Sequence, residues 1–226
     1  MNKLITLLLV FTTIASFSQD SPLPLGRWKI GLVFSPDTYF GSPTILTDRY
    51  SGHEIETSEF TFTTGIIGLF TVNPKLDIGS GISYSKKDVS GLPFCHVCDF
   101  GFPIEEQVLK QRFVEIPLFI RYRILNNKIG LYIETGLTTS YLTEDIKTKY
   151  ELEPNTNNFL LSGHVGLGID MALEDRIIIG LTPVYRQSLT EFYSTSDFHF
   201  RSFGVMSSIA FRLAKKPTIN NKEIIH

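Results

Sequence analysis

The stretch QRFVEIPLFIRYRIL, residues 111–125, decides the fold because its side chains alternate in polarity at a period of two. Residues two apart lie on the same face of a β-strand. One face of this segment is wholly apolar, whereas the other carries the charges of Glu115, Arg121 and Arg123. Wound into a helix, the same residues would scatter those charges around the axis and leave no apolar stripe. The sequence therefore predicts one long strand.

Seven other segments repeat this alternation, and no amphipathic helix is predicted in the mature chain. The register of the second strand is ambiguous near Ile66 and Ile67. The pattern predicts an all-β meander of eight strands. In chain order these cover residues 27–35, 54–72, 75–86, 111–125, 129–137, 159–170, 176–188 and 199–213.

Short and long connections alternate along the chain. Outer-membrane barrels have this asymmetry, with short periplasmic turns and long external loops. The predicted strands are also longer than the ~5–6 residues of an ordinary strand, and a tilted membrane strand needs ~9–11 residues. The tight turns are predicted at 73–74, 126–127 and 174–175, and the long loops at 36–53, 87–110, 143–158 and 189–198.

Alternation alone does not separate a soluble barrel with an oily core from a membrane barrel with an oily exterior. The polar face is rich in glycine and serine and carries charges of both signs, which suits the narrow lumen of eight strands. In lipid, every backbone N–H and C=O needs an internal partner, and a closed sheet provides one. We predict an eight-stranded antiparallel up-and-down transmembrane β-barrel, with a soluble lipocalin-like barrel or sandwich as the alternative. An even strand number places both chain ends on the periplasmic side.

The N-terminal residues have the features of a secretory signal peptide. Lys3 supplies a positive charge, residues 4–15 form an apolar run too short to span a bilayer, and Ser16-Phe17-Ser18 is a small-x-small cleavage signal before Gln19. A retained N-terminal anchor is the alternative, but it needs a longer apolar run. The predicted organisation is a signal peptide at 1–18, an outer-membrane barrel at 19–213 and a periplasmic C-terminal tail at 214–226.

Nine charged residues are predicted to point into the lumen. They allow two interpretations, a polar conduit or proton path and a packed ion-pair network. Because an isolated charge in a tight interior is costly, the network is favoured. The nine are Lys29, Asp77, Glu115, Arg121, Arg123, Glu134, Asp170, Arg186 and Arg212.

The two cysteines of the chain lie close together in the segment Cys95-His96-Val97-Cys98. A structural zinc site needs four ligands, and only three obvious donors are present. A thioredoxin-like site needs a helix in a βαβ unit, which is not predicted here. A local disulfide between Cys95 and Cys98 is the favoured interpretation in an oxidising compartment. No metal or other cofactor is predicted.

Other side chains suggest a hydrolase or a binding surface. Ser162, His164 and Glu134 resemble a catalytic triad in composition, but they are predicted on the lumen face, whereas lipid substrates approach from outside. Ordinary packing is therefore favoured, and no catalytic residue is predicted. Loop aromatics could form a binding surface or an aromatic girdle, and both remain open. These are Tyr39, Phe40, Tyr50, Phe94, Phe100, Phe102, Phe192 and Tyr193.

The strand FVEIPLFIRYRI (113–124), the segment YIETGLTTSYL (132–142) and the glycine-alternating GHVGLGID (163–170) resemble the PorT-like outer-membrane β-barrel proteins. The resemblance covers nearly the whole mature chain. It implies the barrel fold and an outer-membrane location, and it suggests a link to gliding and type IX protein secretion. Recognition by the assembly machinery would then depend on Phe203 and Phe211, because a tail follows the last strand.

The expected function is non-enzymatic: an integral outer-membrane protein that presents four external loops for surface interaction or envelope integrity. A lipid-modifying envelope enzyme and an accessory factor of secretion are the alternatives. Removal of residues 1–18 leaves 20 bases and 23 acids, a net charge of −3, which argues against nucleic acid as a partner. The expected partners are outer-membrane lipid and the outer-membrane assembly machinery, with a further envelope protein left unnamed.

Overall fold

The computed structural model describes residues 27–40, 44–46, 50–58, 60–95, 107–126, 129–146, 157–173, 176–191 and 199–213. These residues form eleven strands. No helix in the described ranges is long and apolar enough to cross a membrane. The strands are β1 (Trp28–Tyr39), β2 (Thr44–Leu46), β3 (Ser51–Ser58), β4 (Thr61–Asn73), β5 (Leu76–Lys86), β6 (Val89–Cys95), β7 (Gln107–Asn126), β8 (Ile129–Ile146), β9 (Phe159–Leu173), β10 (Ile177–Ser188) and β11 (Arg201–Arg212).

Eight of these strands close into an antiparallel barrel in the order β1, β4, β5, β7, β8, β9, β10 and β11. The seam joins β1 to β11, where the Leu213 amide donates to the Trp28 carbonyl over 2.9 Å. The stagger of the barrel can be read from the register. If one starts at Lys29 and moves from each residue to its partner on the next strand, one returns to β1 at Tyr39, ten residues further along the strand. This stagger tilts the strands by about 35–45° and sets the width of the interior. The predicted fold class is confirmed.

The two ends of the barrel differ. At the turn end, Pro74 and Lys75 form the turn between β4 and β5, and the chain enters at Trp28 and leaves at Leu213. At the loop end, longer segments join β1 to β4, β5 to β7, β8 to β9 and β10 to β11. The alternation of short and long connections therefore follows the prediction, but its bounds differ. The first turn is at 74–75 rather than 73–74, Asn126 still belongs to β7, and the loop predicted at 143–158 begins only after Ile146, where β8 ends.

The outward face of the barrel is an almost continuous apolar belt. Its side chains are between about two fifths and three fifths exposed, although they are large and hydrophobic. A surface of this kind is suited to hydrocarbon rather than water. Its members include Trp28, Ile30, Leu32, Phe34, Ile66, Ile82, Ile116, Leu118, Ile120, Tyr122, Ile133, Leu137, Val165, Leu167, Ile169, Leu181, Phe203, Ile209 and Phe211.

Several hydroxyl groups within this belt are satisfied by the sheet itself. They donate a hydrogen bond to a backbone carbonyl on the neighbouring strand, which gives the donor a partner in apolar surroundings. Examples are Ser80 to Pro117 (2.9 Å), Thr135 to His164 (3.0 Å) and Ser207 to Phe34 (3.0 Å).

Three short strands extend the sheet beyond the barrel at the loop end. β2 pairs with β3, β3 with β6, and β6 with the first residues of β7. The prediction that 36–53 and 87–110 are loops was therefore wrong in part, and the predicted second strand divides into β3 and β4. These segments contain Ser, Gly, His and Pro, so they show no clear alternation of polar and apolar residues. They form strands because two segments that are distant in sequence pair with each other.

The barrel interior is not wholly hydrophilic, which corrects the sequence-based expectation. Val33, Ile67, Leu69 and Phe119 are buried together, and Met206 packs against them. A second apolar group lies nearer the loop end and includes Phe113, Leu142, Leu160 and Phe200. The register of the predicted second strand is ambiguous at Ile66 and Ile67. In the structure Ile66 faces outward, so Ile67 and Leu69 face inward. The lumen thus contains apolar layers as well as ions.

Candidate functional site

Glycines on the inward face create the room for the largest interior side chains. A Cβ atom at Gly79 would overlap the Phe119 ring, and one at Gly168 would overlap the ring of Tyr132. Phe119 is 5% exposed and Tyr132 is 0% exposed. The absence of side chains at these positions therefore lets two aromatic rings lie across the lumen.

At the turn end, four of the predicted lumen charges form one cluster. Lys29 Nζ lies 2.8 Å from Asp77 Oδ2, and Arg123 Nη2 lies 3.1 Å from the same oxygen. Arg123 Nη1 also lies 2.9 Å from Asp170 Oδ2. Thr71 donates to Asp77 Oδ1 over 2.7 Å. Two cations and two carboxylates thus balance in a buried layer.

A second pair lies one layer further in. Arg121 donates from Nε and Nη2 to Glu134 Oε2 at 3.1 and 2.7 Å, so one oxygen receives both bonds. The guanidinium also lies 4.1 Å from the centre of the Tyr132 ring, a cation–π contact. The Tyr132 hydroxyl is hydrogen-bonded to that of Thr182 at 2.7 Å. These groups form a cross-lumen network.

The two remaining charged positions of the upper interior have partners that the sequence did not predict. Glu115 accepts from Lys87 at 2.5 Å and from Ser140 at 3.1 Å. Arg186 forms an ion pair with Asp37. Asp37 and Lys87 lie in segments that are predicted as loops, although the alternation of β1 extends to Asp37. Arg212 lies half-buried at the turn end, opposite Lys29 in the pairing of β1 with β11.

A small cavity lies between the apolar layer and the upper ion pairs. Its lining includes Ile67, Glu115, Phe119, Glu134, His164 and Arg186. The lining thus combines apolar and charged side chains. No group of three or more His, Cys, Asp or Glu residues within the described ranges could hold a metal ion.

The residues of the candidate hydrolase triad do not form a relay. His164 Nε2 lies 3.8 Å from Glu134 Oε1, beyond hydrogen-bond distance. Ser162 is buried on the same strand, and in the described structure no hydrogen bond joins it to His164. The nucleophile and base that acyl transfer needs are therefore not connected.

The cysteines and loop aromatics are described in part. Cys95 ends β6 and is disulfide-bonded, while Cys98 lies outside the described residues, so the pairing stays a prediction. The Tyr39 ring lies 5.1 Å from that of Phe200, and Phe40 lies on the outer surface 5.8 Å from Tyr185. Tyr50 is exposed and Phe94 half-buried. Outside the described residues lie His96, Phe100, Phe102, Phe192 and Tyr193, together with 1–18 and 214–226.

The apolar belt, the closed sheet and the filled interior are the features of a transmembrane barrel. Residues 17–194 match a family model described as an outer membrane protein beta-barrel domain. The chain belongs to this outer-membrane β-barrel family. The barrel is therefore placed in the outer membrane, and the soluble alternative is set aside.

Two solved structures of this outer-membrane type are similar to the chain in fold. Neisserial surface protein A is 10% identical, with a TM-score of 0.54, and the match covers 84% of this chain and 100% of that chain. OprG from Pseudomonas aeruginosa is 12% identical, with a TM-score of 0.53 and coverage of 84% and 97%. By sequence, the chain matches no curated protein. At these identities the likeness concerns the fold alone.

Proposed function

We propose that this outer-membrane barrel is non-enzymatic and that it presents an external surface for surface interaction or envelope integrity. The single observation that carries the proposal is the extension of the sheet beyond the barrel by β2, β3 and β6. External connections of such barrels are the long ones, so the loop end would face outward. Binding residues often lie on connections that a rigid scaffold positions, and here the barrel would position the protruding strands.

The interior supports the same proposal. The Arg121–Glu134 pair and the Lys29–Asp77 pair both lie buried on the inward face of the sheet. The rings of Phe119 and Tyr132 are also buried in this interior. A lumen packed in this way acts as a scaffold, and a transport or catalytic role would need an open path to solvent or lipid.

The test is complementation of a deletion strain. One variant replaces 44–58 with a short Gly-Ser turn, and the matched control replaces Ser162 with Ala. We expect the first to restore neither surface attachment nor resistance to large antibiotics, while the protein still runs as a folded barrel in the membrane. The control should restore both, because Ser162 serves only packing.

Lipid A profile, protein secretion and gliding are measured in the same strains. A changed lipid A profile in the Ser162→Ala strain would instead support a lipid-modifying enzyme. Loss of secretion or gliding in the deletion strain, restored by both variants, would support the secretion role that the PorT-like resemblance suggests. Either outcome overturns the proposal.

A further inference from the structure

A row of cations and aromatic rings lies on the outer surface at the loop end of β4, β5 and β7. Phe62 pairs with Lys86 across β4 and β5, and Lys86 pairs with Arg112 across β5 and β7. Neighbouring residues of the same face, Phe60 and Tyr84, are 63% and 41% exposed. The row therefore lies on the outward face of the strands, and within it the side chains of Lys86 and Arg112 are 28% and 14% exposed.

A buried carboxylate fixes the two cations side by side. Asp88, whose side chain is 4% exposed, lies 3.2 Å from Lys86 Nζ and forms an ion pair with Arg112. Its Oδ1 also accepts from the Gln111 amide at 3.3 Å. Because Asp88 is shared, it neutralises one of two positive charges.

Among the described residues around this pair, cations outnumber carboxylates. Glu144 lies opposite Arg112 across β8, and Lys110 is exposed two residues further along β7. In the part of this corner that the structure describes, three cations thus face two carboxylates, a net charge of +1. Glu144 lies on the β8 side, whereas Phe62 and its neighbours lie on the other. Lys87 points inward to Glu115 and does not contribute.

The aromatic side is a continuous surface of rings. The Phe62 ring lies 6.0 Å from Phe34, 5.9 Å from Phe60 and 6.4 Å from Tyr84. Aromatic side chains favour the headgroup level of a bilayer, where one part of the ring is apolar and another is wet. A cation pair directly beside such rings matches an amphiphile with an anionic group above an apolar body.

We propose that Lys86 and Arg112 bind a phosphate of a phosphorylated glycolipid in the outer leaflet, whose sugar and proximal acyl groups lie on Phe60, Phe62 and Tyr84. Both Nη atoms of Arg112 already donate to Asp88, and Nη1 also donates to the Gln111 carbonyl at 3.0 Å. Arg112 therefore offers its positive charge and its remaining N–H donors, and Lys86 adds a compact charge. The site rests on the proposed orientation, with the loop end outside. The proposed lipid thus binds on the outer surface of the barrel and not in its lumen.

The experiment uses the purified mature protein, refolded in detergent micelles, and measures retained lipid by native mass spectrometry. The probes are bisphosphorylated lipid A and the same lipid after dephosphorylation. We expect wild type to retain the phosphorylated form at least tenfold better. The double variant Lys86→Gln/Arg112→Gln should lose this preference. Lys86→Gln alone, which keeps the Arg112–Asp88 pair, should lose part of it.

Arg201→Gln is the matched control, because Arg201 is an exposed outward cation at the same end of the barrel on β11. It should retain full preference. Equal retention of both lipids by wild type, an unchanged double variant, or an equal loss in the control would overturn the site. Displacement of the lipid by millimolar inorganic phosphate would show a simple anion site and would also overturn it.

Failure of this site and failure of the proposed function are separable. The variant with 44–58 replaced keeps Lys86 and Arg112, and it should keep its lipid preference in micelles even though its cellular phenotype is lost. A lipid preference lost only in that variant would place the binding groups in the external sheet and overturn the site.

Discussion

At the scale of single residues, the interior depends on positions where a side chain is absent. Gly79 faces the Phe119 ring, and a Cβ there would also lie 2.8 Å from Leu69 Cδ2. Phe119 is held by Val33 and Ile67 in the buried cluster, so it has little freedom to move away. The glycine is therefore part of the packing.

Gly79→Ala should lower the free energy of unfolding by about 1–3 kcal/mol, the usual cost of overpacking a core. Urea unfolding in lipid vesicles, followed by fluorescence of the single Trp28, measures it. Gly68→Ala is the control, because a Cβ there would have its nearest neighbour, the Ser80 carbonyl oxygen, at 3.9 Å. Its effect should stay within about 0.5 kcal/mol. Addition of Phe119→Leu to Gly79→Ala should recover stability, and a failure to do so would exclude the ring as the cause.

At the scale of elements, β7 and β8 are joined by a buried ion pair as well as by their backbone ladder. Arg121 and Glu134 are register partners on the inward face, and each side chain is 3% exposed. Removal of one partner leaves the other charge buried without compensation, whereas removal of both does not.

Glu134→Met and Arg121→Met should therefore each destabilise the barrel by about 3–5 kcal/mol. The double variant Arg121→Met/Glu134→Met should cost clearly less than the sum of the single changes. Lys86→Gln, at a half-buried pair, is the control and should cost under about 1 kcal/mol. Additive costs in the double-mutant cycle would mean that the two side chains do not stabilise each other.

At the scale of the whole molecule, the lumen is closed by alternating charged and apolar layers. Lys29, Asp77 and Arg123 occupy one layer, and Val33, Ile67 and Phe119 occupy another. Eight strands leave an interior that side chains can fill. This packing of the described interior residues argues against a continuous water path.

The purified protein should therefore show no discrete conductance steps in planar bilayers at moderate voltage. A single-channel recording measures this directly, with a large porin as the positive control. Stable steps that persist after repeated purification would show that the packed layers separate in the membrane.

The sequence predicted the barrel well because lipid exposure imposes one rule on every strand. Trp28, Leu118 and Phe203 face outward as their alternation indicates. The same rule could not place Ile66 and Ile67, since both are apolar and the glycines beside them fit either face.

The candidate site was less predictable than the fold. The alternation of side chains along each strand predicts that Glu115 and Arg186 point inward. Their partners Lys87 and Asp37 depend on where the strands end and on the stagger of the sheet. The local sequence encodes neither the strand ends nor the stagger. The fit of Phe119 over Gly79 has the same origin, because it joins residues that are distant in sequence.

The seam between β1 and β11 brings the two ends of the barrel chain to adjacent positions, with Trp28 and Leu213 joined by a backbone hydrogen bond. A linker of a few residues could connect them covalently, and new ends could be opened at Pro74–Lys75. Such a circular permutant would keep every ladder of the barrel while changing the order in which its hairpins are synthesised. The final topology of the sheet would thus not depend on the order in which its strands are synthesised.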